Sequence, residues 1–174
     1  KQAGEFEIVS RQYLQVTLFL ATIITGGLIS IMPQLNNFLF ASSVGSEVLM
    51  VYVMMVIFAS LVLGQNNILQ AQGQWYKAGI AFMVGMLVKG IFTASLVDFL
   101  DTAGAAWATN LGLVAMIIYL NWTLPKEVRL VKWGRVAFKA GLLAVLMVAV
   151  NFTLSHLWHQ VLGIAPERLM DTLL

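Results

Sequence analysis

The chain has no cysteine, three prolines and two histidines among its 174 residues, and only 10% of it is charged. Without cysteine there can be no disulfide, no thiol catalysis and no Cys-ligated metal. Ten basic and eight acidic side chains cannot clothe a surface when 60% of the residues are hydrophobic; a water-soluble domain carries about 25% charged residues. That shortage rules out a cytosolic enzyme. A phosphate-binding glycine loop followed by Lys-Ser or Lys-Thr is missing, as is a serine nucleophile elbow. His156 and His159 share a helix face, but no Asp or Glu stands within that turn to complete a metal site. No catalytic residue, metal, cofactor or nucleic-acid partner is therefore expected.

What the chain does have is long apolar runs, and its mean hydropathy is +0.86. A bilayer core of about 30 Å takes roughly 20 apolar residues as helix. Five stretches reach that length, over about 13–32, 48–69, 76–97, 104–124 and 135–162. The expected fold is an all-α polytopic membrane helix bundle of about five transmembrane helices. Residues 1–12 form a cytoplasmic lead-in and 163–174 an external tail. Pro33 is expected to stop the first helix, because proline has no amide hydrogen and its ring clashes with the preceding turn. Unpaired backbone groups find no water in hydrocarbon, and the alternating ten-residue strands of a barrel are not visible. The first residue is Lys1 rather than Met, and the first apolar run has no small-residue cleavage site after it. The expectation is a portion of a longer protein.

Lys1, Arg11, Lys77, Lys126, Arg129, Lys132, Arg135 and Lys139 fall on one side of five alternating spans, and only Arg168 falls on the other. By the positive-inside rule the N-terminus, the turn before Tyr76 and the loop after Leu124 are cytoplasmic in a multi-pass cell-membrane protein. In that last loop the basic residues alternate with Val128, Leu130, Val131, Trp133, Val136 and Phe138. This pattern suits ordinary topogenic charge or an amphipathic segment on anionic lipid. Trp75, Tyr76, Trp122 and Trp133 fall where aromatic belts form.

Polar residues inside the spans are fewer and carry more information. Arg11, Gln15, Thr22, Thr25 and Gly26 fall within about a third of a helix circumference. They form either a packing face or the lining of a hydrophilic cavity. Gly104, Ala108 and Gly112 recur every fourth residue, a spacing that lets helix backbones approach. Asn110 beside them faces a neighbour or a cavity. Lys89 lies about 20 Å from the cytoplasmic end of its span and about 12 Å from the outer end at 1.5 Å per residue. Intramembrane cations are costly and usually face a bundle interior or a watery cavity. The alternative is a lysine that snorkels outward.

Four short motifs occur in order: Asn37-Phe38-Leu39-Phe40, Ile68-Leu69-Gln70-Ala71-Gln72-Gly73, Leu87-Val88-Lys89 and Gly104-Ala105-Ala106-Trp107-Ala108-Thr109. With their spacing over roughly residues 10–125, the chain resembles the multidrug, oligosaccharidyl-lipid and polysaccharide exporter superfamily. Within it the resemblance is to the polysaccharide and peptidoglycan-precursor flippases of Gram-positive bacteria. It implies part of a two-lobe transporter, namely the first five helices of the second lobe, with the N-terminal lobe of the same protein as partner. The implied function is movement of a lipid-linked sugar diphosphate to the external leaflet by alternating access. The cations such a headgroup needs are at hand in Lys89 and Arg11, with Gln15 and Thr22 as further substrate-binding candidates. Two other classes compete: a cation-coupled multidrug antiporter of the same superfamily, and a non-transporting membrane scaffold subunit. The antiporter wants a carboxylate inside the membrane, and all eight acids here fall at span ends or in loops.

Overall fold

In a computed structural model, which describes residues 2–41, 44–126, 128–129, 142 and 153, the chain forms three long helices. They are α1 (Gln2–Phe40), α2 (Ser46–Ala71) and α3 (Trp75–Thr123), and no strand occurs among the described residues. All three are long and apolar enough to cross a membrane. The predicted spans at 76–97 and 104–124 are the two arms of α3, which breaks once, at Asp101 (φ 48°, ψ −131°). The predicted span at 135–162, the tail at 163–174 and both histidines lie outside the described residues.

Pro33 does not end the first helix, which continues to Phe40, and residues 2–12 of the lead-in are already helical. Proline removes one backbone hydrogen bond and repels one carbonyl, whereas unwinding the turn would strip partners from several groups with no water to replace them. The far side of Pro33 is also held. Asn36 Nδ2 donates to Val44 O at 3.1 Å and to Ser46 Oγ at 2.9 Å, which ties the end of α1 to the start of α2.

The turn from α2 to α3 has a clear sequence cause. Gly73 adopts φ 74°, a left-handed conformation that costs glycine little. Its N–H reaches Gln70 O at 2.9 Å while the Gln74 N–H reaches Leu69 O at 2.8 Å. This paired pattern closes the last carbonyls of α2 and reverses the chain within three residues.

Packing follows the same order as the sequence. α1 lies on α2, and α2 lies on α3. Leu14, Leu18, Leu61, Val62, Ile68, Leu69, Met116 and Leu120 form the shared core. Outside it the helices are apolar but uncovered, with Met83 and Met86 at 65% and 73% exposure. In water such a surface would aggregate; in a bilayer, lipid or further helices cover it.

Candidate functional site

Past Asp101 the second arm of α3 folds back along the first. A side chain at Gly104 would run into the backbone of Leu96 and Val97, and one at Gly112 would come within 2.8 Å of Gly85 O. Ala108, between them, is fully buried. The small-residue spacing seen in the sequence is therefore a packing face, on which two backbones meet with no side chain between them.

Beside this seam runs a groove of about 170 Å³. Phe82, Met86 and Lys89 line it from the first arm, and Thr109, Leu113 and Met116 from the second. Thr109 Oγ1 donates back to Ala105 O at 2.9 Å, which leaves its lone pairs toward the groove rather than its proton. Lys89 is exposed and pairs with no carboxylate among the described residues. Because the first arm stays helical through residue 100, Lys89 lies about 17 Å below the bend and about 21 Å from the start of α3. That is nearer mid-span than the sequence suggested, and it makes snorkelling to the surface at the bend harder.

The other three candidate residues lie elsewhere. Arg11 is exposed near the start of α1 and Gln15 is half-buried. Thr22 is buried and donates to Leu18 O at 2.7 Å; Thr25 is buried with no partner for its hydroxyl among the described residues. α1 packs on α2, while the groove is lined by α3 alone, so Lys89 is not brought together with Arg11, Gln15 and Thr22. In this arrangement Thr22 and Thr25 belong to a helix-packing face.

Asn110 faces a neighbour: its Nδ2 donates to Val51 O on α2 at 2.9 Å. Several buried polar residues, Asn36, Ser46, Asn66 and Gln65 among them, were missed from sequence. Gln65 is fully buried, and neither its Nε2 nor its Oε1 has a partner among the described residues. Its signal was the polar run Gln65-Asn66-Asn67 within an apolar helix. Asn67 at the end of that run bonds the Tyr13 hydroxyl at 3.2 Å. Among the described residues no group of His, Asp and Glu has the makings of a metal site.

The helices and the groove together define a helical membrane protein. Over 145 residues it is 30% identical to an uncharacterized membrane protein, YabM, of Bacillus subtilis (strain 168). The match covers 83% of this chain, and the chain spans 27% of that relative's length. No family model and no solved structure matches.

Proposed function

We propose that the chain is the C-terminal-lobe portion of a flippase that moves a lipid-linked oligosaccharide or peptidoglycan precursor across the cytoplasmic membrane by alternating access. The observation that carries this reading is Lys89, a cation near mid-span in an otherwise apolar groove. A charged lysine at such depth costs at least about 2.5 kcal/mol on insertion scales, so an anion must offset it. The diphosphate of a lipid-linked sugar supplies that anion, and a compact ammonium suits it without bidentate geometry. Arg11, Gln15 and Thr22 join the site only if α1 and α3 line one cavity in the whole protein. The N-terminus is cytoplasmic, and the N-terminal lobe of the same protein closes the cavity.

The test is transport of a labelled lipid-linked sugar by the full-length protein in reconstituted vesicles. Lys89→Met abolishes transport while leaving the protein folded, and Lys89→Arg keeps part of it. Wild-type transport by Lys89→Met overturns the reading. Residues 1–174 reconstituted alone move no substrate, and transport by them alone equally defeats it.

A further inference from the structure

The two ends of the α3 hairpin remote from Asp101 lie together, because its arms run antiparallel. Trp75 and Tyr76 open the first arm and Trp122 nearly closes the second, and they are 72%, 52% and 73% exposed. Three cations belong to the same two chain ends. Lys77 Nζ donates to Gln74 Oε1 at 2.7 Å and lies 6.0 Å from the centroid of the Tyr76 ring. Arg129 is held on the end of the second arm, with Nε donating to Leu124 O at 3.1 Å and Nη2 to Trp122 O at 2.9 Å. Lys126, three residues past the end of the second arm, is exposed. No carboxylate among the described residues pairs with any of the three. The described acids at this end of the bundle, Glu5 and Glu7, ride on α1, which packs against α2.

We propose that Lys77, Lys126 and Arg129, framed by Trp75, Tyr76 and Trp122, form a headgroup site for an anionic phospholipid at the membrane surface. The rings fix the depth, since indole and phenol sit where one edge is apolar and the other wet. The cations are already positioned by contacts within the fold. Lys77 is steered by Gln74 and Tyr76, while Arg129 spends two N–H groups on helix carbonyls and keeps the rest of its guanidinium for a phosphate. No acid of α3 lies at this end, and Glu127, between Lys126 and Arg129 in the sequence, offsets only one of the three positive charges, so a lipid phosphate is the complementary charge. This site is separate from the Lys89 groove, about 20 Å along the first arm, and stands or falls independently of the transport reading.

The experiment uses the full chain with Trp107→Phe, Trp133→Phe and Trp158→Phe, so that Trp75 and Trp122 report alone. It is reconstituted in phosphatidylcholine doped with brominated phosphatidylglycerol or brominated phosphatidylcholine. Phosphatidylglycerol is expected to quench at a mole fraction about tenfold or more below phosphatidylcholine, within the roughly 150-fold that three surface cations supply. Lys77→Gln with Lys126→Gln removes about two thirds of the logarithm of that preference and leaves the share of Arg129, whereas Lys77→Arg with Lys126→Arg preserves it, since only charge is needed. Lys126→Gln alone lies outside the helix and removes about a third of the logarithm should the pair fail to insert. Equal quenching by both lipids before any lysine is changed, or a gap undiminished by the glutamine substitutions, overturns the proposal.

Discussion

Lys89 and Gly112 touch across the α3 hairpin so closely that a methyl group on Gly112 would stand 3.1 Å from Lys89 Cβ. The lysine stem thus lies on a bare stretch of the opposite backbone, and its position depends on that glycine. The groove and the seam are two sides of one arrangement. Whatever holds the arms together also places the ammonium.

Gly104→Ala and Gly112→Ala should therefore destabilise the hairpin, by about 1–3 kcal/mol each, as overpacking does. Their new methyl groups meet backbone, Leu96 and Val97 in one case and Gly85 O in the other, and backbone yields less readily than a flexible side chain. Gly85→Ala meets chiefly the Met116 side chain and should be milder. Gly90→Ala is the control: nothing lies within 4 Å of the added atom, so helix propensity should make it neutral or stabilising by up to about 1 kcal/mol. Denaturation in mixed micelles ranks the four.

Asp101 holds a positive φ that favours glycine, at the one residue where α3 breaks. Asp101→Gly should raise stability and Asp101→Val lower it, by about 1–3 kcal/mol in the latter case, since a β-branched side chain tolerates that conformation least. The same denaturation assay reads both. Equal midpoints for the two variants would show that the bend is not conformationally demanding.

The sequence made some of this legible and hid the rest for physical reasons. Apolar length located α2 and both arms of α3, because hydrocarbon forces helix on any such stretch, and the four-residue spacing of Gly104, Ala108 and Gly112 marked the seam. Pro33 misled, because the rule that proline ends helices is calibrated where water can satisfy the freed groups. The grouping of Arg11, Gln15 and Thr22 with Lys89 could not be tested by periodicity at all. Periodicity fixes which residues share a face of one helix; it is silent on which helices are neighbours. Gln65 escaped notice because the polar run Gln65-Asn66-Asn67 is contiguous and carries no helical period.

The absence of cysteine makes orientation directly measurable. Single cysteines at Gln34, Lys77, Thr102 and Lys126 should label in two classes with a membrane-impermeant thiol reagent on intact cells. Gln34→Cys, near the C-terminal end of α1, and Thr102→Cys, beside the bend, react. Lys77→Cys and Lys126→Cys, at the basic end, react only after permeabilisation. Reaction of Lys126→Cys in intact cells reverses the orientation and places the lipid site in the outer leaflet.

Gln65 offers a test of a different kind, because it is a buried amide with no bonding partner among the described residues. Leaving a donor and an acceptor unsatisfied in an apolar interior costs about 1–3 kcal/mol, while leucine has nearly the same volume and no such requirement. Ile68 and Leu69, a turn further along α2, already belong to the apolar core, so the added methyl groups join compatible neighbours. Gln65→Leu should accordingly stabilise the bundle by about 1–2 kcal/mol, less than the full penalty because a helix unfolded within the membrane leaves the amide poorly served as well. Asn36→Ala is the opposite case: it deletes bonds to Val44 O and Ser46 Oγ and should cost about 1 kcal/mol. If Gln65→Leu instead lowers the denaturation midpoint as far as Asn36→Ala does, the amide has a bonding partner in the membrane, either a trapped water or a group from the remainder of the protein. Gln65 then marks a further polar contact of the bundle rather than a flaw in its core.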